Sequence, residues 1–238
     1  MDVKSDSPVA VITGASRGFG LALARELSGQ GWHLVIDGRN AHALYAAAAG
    51  LGHKTIAIAG DVAVSAHRQE IAEAVERLGR LDLLVNNASL LGPSPQPTLD
   101  AYPLDVLEDV YRVNTIAPLA LIQLLLPALV ASRGAIVDIS SDAAVEAYAG
   151  WGGYGSSKAA LDQITAVLAA EQPAIRVYGF DPGDMRTQMQ QEAFPGEDIS
   201  DRAEPESVVP VLVRLIDERP ASGRYRASEL HEKIGGAA

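Results

Sequence analysis

The sequence predicts a doubly wound α/β domain, one parallel sheet of about seven strands with helices on both faces. Three observations carry this expectation. Short apolar runs alternate with helical patterns from one end of the chain to the other. The runs are continuously apolar, as in strands buried on both faces, rather than alternating. No compositional break, internal repeat or low-complexity tract divides the 238 residues, so a single domain over 1–238 is expected.

Val9–Ile12 is the first strand and stops at Thr13-Gly14. A helical pattern begins near Gly18, runs through Leu21, Leu23, Ala24 and Leu27, and ends at Gly29 and Gly31. Residues 33–36 read as the second strand and Ala41–Ala49 as an alanine-rich helix. Residues 54–59 and 81–85 are the third and fourth strands, with a helix over 66–78 between them. The stretch SLLGPSPQPTLDAYP holds too many prolines for a regular element, and a loop of that length is functional or mobile. Residues 104–130 read as one long helix, bent near Pro118. Ala135–Ile139 is the fifth strand, 156–170 a helix and 175–180 the sixth strand. Residues 185–201 are polar and irregular with some helix, 206–217 are helical, and 223–227 form a short last strand.

Hydrophobic residues are 48% of the chain and charged residues 21%, the balance of a globular protein with a sizeable core. A formal net charge of -11 repels phosphate backbones and anionic lipid, so neither nucleic acid nor a membrane surface is the expected partner. A small anionic ligand stays open, because a few local cations overrule the global sign. Without cysteine there is no disulfide, thiolate catalysis or cysteine-ligated metal. His33, His42, His53, His67 and His231 lack metal-ligand spacing and are expected mostly at the surface. The stretch MDVKSDSP has no apolar signal core. The most apolar run, 116–130, contains Pro118, Gln123 and Pro127 and is shorter than the about 20 residues of a membrane span. A buried helix and a cytoplasmic location are expected.

In such a sheet, ligands sit beyond the carboxyl ends of the strands. Thr13-Gly14-Ala15-Ser16-Arg17-Gly18-Phe19-Gly20 lies at such an end. Its glycines let the backbone turn sharply and approach a ligand, and the helix behind offers free N–H groups to a diphosphate. No Gly-Lys-Ser/Thr closes the loop, which argues against phosphoryl transfer. At the end of the second strand an acid would take a ribose diol and an arginine a 2′-phosphate. Asp37 and Arg39 offer both. Arg17 adds a second guanidinium, so NADP(H) is expected over NAD(H), with Asp37 neutralising one arginine.

Asp61-Val62 and Asn86-Asn87-Ala88-Ser89 follow the third and fourth strands. They read either as adenine contact and loop or cofactor braces, or as ordinary turn chemistry. Ser140 and Ser141 close the fifth strand. No Gly-x-Ser-x-Gly elbow is present, and the only late histidine is His231, so a serine here reads as a donor to a substrate carbonyl rather than a nucleophile. Tyr154 and Lys158 stand four apart, on one helix face. An ammonium beside a phenol lowers its pKa from about 10 and makes it a usable acid or base. Gly152, Gly153, Gly155 and Ser156 read as clearance for a cofactor against that pair.

Together these residues resemble the short-chain dehydrogenase/reductase family in its compact single-domain form. The likeness runs from Val9 to about Ala227 through TGASRGFG, DV at 61–62, NNAS at 86–89, VN at 113–114, ISS at 139–141, YGSSK at 154–158 and DPGDMRT at 181–187. It implies an oxidoreductase that moves a hydride between NADP(H) and a small carbonyl or alcohol. By matching position, Ser141 would orient the carbonyl and Tyr154 would be the general acid/base. Lys158 would hold the nicotinamide ribose and lower the tyrosine pKa, and Asn114 would hold a water linking the lysine to solvent. The implied cofactor contacts are Gly14, Ser16, Arg17, Gly18, Phe19, Gly20, Arg39, Asn40, Asp61, Val62, Asn87, Ala88, Pro182, Gly183, Met185 and Thr187, with Tyr154 and Lys158. Leu91, Trp151 and Met189 would line a partly apolar substrate pocket under a lid at about 184–205, where Arg186 is open to an anionic substrate. Two departures, Ser89 for glycine and Asp138 for asparagine, are expected to leave the catalytic set untouched. The likeness also implies a homodimer or homotetramer. A catalytically silent NADP-binding sensor or scaffold is the competing reading.

Overall fold

Seven short strands pair side by side, every pair parallel, in the order β3-β2-β1-β4-β5-β6-β7. They are β1 (Val9–Ile12), β2 (His33–Gly38), β3 (Thr55–Ala59), β4 (Leu83–Asn86), β5 (Ala135–Ile139), β6 (Arg176–Asp181) and β7 (Gly223–Arg226). The helices are α1 (Gly18–Gly29), α2 (Ala41–Ala49), α3 (Ser65–Leu78), α4 (Leu104–Tyr111), α5 (Ala117–Ser132), α6 (Gly152–Glu171), α7 (Gln188–Ala193) and α8 (Pro205–Glu218). This computed structural model describes residues 7–230. The first six residues of MDVKSDSP, His231 and both ends of the 1–238 span lie outside the described residues.

Side chains of a strand alternate between faces, and both faces here are buried. Ala10 and Ile12 of β1 enter one core with Leu23 and Leu27 of α1 and Leu212 and Ile216 of α8. Val9 and Val11 enter the other with Ile71 and Val75 of α3 and Leu121, Ile122, Leu125 and Leu129 of α5. Strand order reverses between β1 and β4, and such a reversal opens a crevice at the carboxyl edge of the sheet.

The long helix is not simply bent at Pro118. A π-helical segment, Arg112–Ile116, joins α4 to α5 and ends just before that proline. Proline has no N–H for the carbonyl of Asn114, so the regular ladder is broken there. Leu104–Ser132 is thereby helical throughout, 29 residues that include an 18-residue stretch with a mean hydropathy of 1.9. The length argument against a membrane span therefore fails. The buried-helix reading rests instead on the α5 face packed against the sheet, with Leu121, Leu125 and Leu129 at most 2% exposed. The α6 helix starts at Gly152, earlier than expected, and most of 185–201 is loop around the short α7.

Beneath the crevice, Asp138 of β5 is fully buried and accepts from Asn86 Nδ2 and Thr165 Oγ1, each at 2.7 Å. Thr165 has one proton and two acceptors in reach, the second being the Leu161 carbonyl at 2.8 Å. That single proton is shared between the Asp138 carboxyl and the Leu161 carbonyl. Burial pushes the Asp138 carboxyl up to about 6, against hydrogen bonds from Asn86 and Thr165 that hold it down. Its folded pKa lies above its unfolded one, so the native state binds the extra proton in that window. Stability should fall by about 2 kcal/mol as pH rises from about 4 to about 6. Urea unfolding across that range should show the slope in the native chain and a flatter one in Asp138→Asn.

Candidate active site

The crevice is a cleft of about 580 Å³ whose walls come from the loops after β1 to β6. Its first wall is the glycine loop. Gly14 (φ 67°) and Gly18 (φ 56°) adopt left-handed backbone that side chains disfavour. Gly20 is required for packing, since a Cβ there would lie 2.5 Å from Asn87 Nδ2 and 2.9 Å from the Gly14 carbonyl. The α1 N-terminus has no side-chain cap and faces this cleft with no acid in its first turn. That cradle of glycines and uncapped N–H groups fits a diphosphate. Phe19 contributes its backbone only, because its ring is buried and stacked on Phe180 at 6.2 Å.

The two asparagines after β4 both act as braces. Asn86 holds Asp138, and Asn87 Nδ2 donates to the carbonyls of Thr13 (2.8 Å) and Gly14 (3.2 Å). Asp61 realises the turn chemistry, accepting from the Ala63 N–H at 2.8 Å while lining the cleft with Val62. Asn40 caps α2 by accepting from the Ala43 N–H at 3.0 Å, and Ser16 and Ala88 stand on the same wall.

Asp37 corrects an expectation. It does not neutralise an arginine. Only 1% exposed, it accepts from the Gly14 N–H at 2.6 Å and meets His67 Nε2 at 3.0 Å. His67, expected at the surface, is 5% exposed, and its ring occupies the space a side chain on Gly60 would need. Burial pushes the Asp37 carboxyl up, against the His67 and Gly14 hydrogen bonds. Arg39 is therefore left on the cleft wall without that acid beside it, and Arg17 reaches the other way, donating to Gln188.

Tyr154 and Lys158 share one face of α6, the ammonium 5.6 Å from the ring centroid. Lys158 is 1% exposed and donates to the Ile139 carbonyl at 2.7 Å. Burial brings it down to about 8, against the carboxylates of Asp162 and Asp138. The phenol goes up to about 12, chiefly by burial, with hydrogen bonds to Ser89 and Ser141 pulling it down and Asp181 pushing it up. The expected lowering by Lys158 is not met, because the ammonium is turned to Ile139 and the phenol is enclosed. Ser141, rather than Ser140, faces the phenol. It donates to Asp142 Oδ1 at 3.0 Å and accepts from the Ala143 N–H at 3.2 Å, whereas the Ser140 hydroxyl is buried without a protein partner.

Both departures from the family pattern touch this set. Ser89 bonds the Tyr154 phenol and donates to Asn114 Oδ1 at 3.1 Å, and Asp138 acts on Lys158. A glycine at 89 could do neither. The Asn114 amide is fully used: its oxygen also accepts from the Leu90 N–H (2.7 Å), and its nitrogen donates to the Leu90 carbonyl (2.9 Å) and Ser157 Oγ (3.0 Å).

The glycines of α6 are not clearance for a cofactor. Leu99 fills the space beside Gly152, the Tyr102 ring that beside Gly153, and the Ala143 carbonyl that beside Gly155. They let the proline-rich loop and the turn after β5 approach the helix. Leu91, Trp151 and Met189 do converge on Tyr154, the Trp151 ring edge-on at 5.9 Å and Phe194 beyond it at 5.8 Å. Arg186 lines the cleft but is paired with Glu204. Pro182, Gly183 (φ 74°), Met185 and Thr187 form the remaining wall. The Gly183 N–H donates to Asp181 Oδ1 at 3.1 Å, and Thr187 caps α7.

Residues 8–198 match the family described as short chain dehydrogenase. The chain is 36% identical over 199 residues to sepiapterin reductase of Mus musculus, covering 77% of this chain and 76% of that one. A short chain dehydrogenase from Shigella flexneri 2a, complexed with NADP, is 31% identical over 95% of this chain and 99% of its own, with a TM-score of 0.87. One from Escherichia coli CFT073, complexed with NADPH, is 32% identical over 95% and 98%, also at 0.87.

Removing His67 from the buried pair leaves Asp37 with the Gly14 N–H as its one remaining hydrogen-bond partner described above. His67→Leu should cost about 3 kcal/mol of stability in urea unfolding. Adding Asp37→Asn to it should recover part of the loss. Equal losses that simply add would show the two side chains to be uncoupled.

Proposed function

The chain belongs to the short-chain dehydrogenase family of oxidoreductases, and we propose that it is an NADP(H)-dependent carbonyl reductase in which Tyr154 is the general acid. The observation that carries this is the convergence of Ser141, Tyr154 and Lys158 on one cleft beside the glycine loop. Bound NADPH would supply the hydride. A substrate oxygen placed between the Ser141 hydroxyl and the Tyr154 phenol draws the serine proton away from Asp142. The phenol then gives its proton to that oxygen as negative charge develops there. A phenol held up to about 12 is protonated at neutral pH, which favours the reductive direction. Lys158, still largely an ammonium at pH 7, stands behind the phenol to stabilise the phenolate left after transfer. The Asn114 carbonyl, without a helical donor from Pro118, is an acceptor for a water between that lysine and solvent.

Arg39 is the 2′-phosphate ligand in this reading, supported by the inward turn of Asp37 and by the NADP and NADPH complexes of the two related structures. Leu91, Ala143, Trp151, Met189 and Ala193 favour a ketone or aldehyde with an apolar flank. The Gln190 amide nitrogen, buried without a protein partner, offers it one donor. Residues 184–205 serve as the lid. A homodimer or homotetramer in the cytoplasm completes the proposal, with Leu104, Ile116, Leu124, Val130 and Val167 exposed on the helices that would pair.

A panel of aryl and alkyl ketones and aldehydes with NADPH, followed by loss of nicotinamide absorbance, tests the reading. Tyr154→Phe should lower kcat by about 10²- to 10⁴-fold while NADPH still binds. Full activity in that variant excludes Tyr154 as the acid, and NADPH binding without any reduction across the panel favours the sensor reading. Arg39→Leu should weaken NADPH about tenfold and leave NADH nearly unchanged, the loss of one charge-assisted contact. Equal weakening of both would remove Arg39 from the phosphate site.

A further inference from the structure

Arg224 lies on the last strand, far in sequence from every motif described above, and its guanidinium meets three segments at once: α6, the end of β6 and the turn after β5. Its Nε donates to Asp162 Oδ2 at 2.9 Å, and its Nη2 donates to the Ser141 carbonyl at 2.9 Å and to Asp181 Oδ2 at 3.0 Å. Asp162 stands one helical turn after Lys158 on α6, and Asp181 immediately precedes Pro182-Gly183. The route is open because Gly179 is the β6 partner of Arg224. A Cβ at 179 would lie 3.3 Å from Asp162 Oδ1 and 3.8 Å from Arg224 Cγ.

Resting on the proposed role of Tyr154, we propose that Arg224 is a positioning residue that holds Ser141, the Tyr154–Lys158 helix and the Pro182-Gly183 turn in register around one substrate carbonyl. A planar fork is suited to this, since it directs separate N–H groups to separate acceptors, whereas an ammonium is a single point charge. The residue also neutralises carboxylates that act on the reacting groups. Asp162 pushes Lys158 up and Asp181 pushes Tyr154 up. Arg226, 3.5 Å from Asp181, shares that carboxylate but does not reach Asp162 or Ser141. Neither Arg224 nor its partners at 162 and 179 belongs to the family pattern in the sequence.

The test compares Arg224→Met and Arg224→Lys with the native chain, using NADPH and the ketone or aldehyde of the panel above that the native chain reduces fastest. Titration of Lys158 in cofactor-free protein by 13C NMR gives a second readout, tractable because the sequence has four lysines. Arg224→Met should lower kcat at least about tenfold and raise the Lys158 pKa by about half a unit as Asp162 loses its counter-charge. Arg224→Lys should restore the lysine pKa but not kcat, because it returns the charge without the fork. Should the methionine variant not fold, Arg224→Lys decides alone: a native melting temperature with kcat lowered about tenfold supports the proposal. Native kcat in either folded variant overturns it, as does an unmoved Lys158 titration in Arg224→Met. Tyr154→Phe run alongside separates the two readings: retained activity there fails the acid assignment, whereas its loss with native Arg224→Lys kinetics fails Arg224 alone.

Discussion

The site depends first on a small joint between two strand ends. The Thr13 hydroxyl accepts the N–H groups of Asn87 and Ala88 at 3.0 and 2.9 Å, while the Asn87 amide donates back to the carbonyls of Thr13 and Gly14. This knot closes over the point where strand order reverses. The sheet must part there to admit a ligand, and parting leaves backbone groups without ladder partners. Thr13 and Asn87 satisfy those groups and so hold the crevice open at a fixed width. The glycine loop on one side and the Ser89–Asn114 contact on the other are both anchored to it.

A second constraint is electrostatic. Lys158, Asp138 and Asp181 are all buried, with Asp162 and Arg224 at the margin. Isolated, each buried charge would be costly; together they form a connected set. The pKa values of Lys158 and Asp138 are brought toward each other, to about 8 and about 6, so proton occupancy in this region is sensitive to small changes in surroundings.

Much of this was legible in the sequence because function here sits at the ends of consecutive elements. The apolar runs located the strands, and TGASRGFG, NNAS, ISS and YGSSK each followed the expected strand. What the sequence concealed was mostly long-range. His67 has no pattern of its own; only the fold brings it under Gly60 and against Asp37, 30 residues away. Arg224 meets Ser141 across 83 residues. Ser89 looked like an idle departure because it follows β4 while the phenol it touches is on α6, 65 positions later. The glycines of YGSSK misled for a related reason. Their clearance is real, but the neighbour that uses it is protein, and composition does not distinguish the two.

That last contact couples regions usually treated apart. The proline-rich loop, through Leu99 and Tyr102, packs directly on the first turn of α6, and Gly92 makes way for the Tyr102 hydroxyl. The segment that frames the mouth of the cleft is thus seated on the helix that carries Tyr154. In evolutionary terms, sequence change in this loop is not free to explore new partners independently. Any insertion or bulky replacement that lifts Tyr102 also tilts the helix start, so recognition and reactivity at this site have to change together.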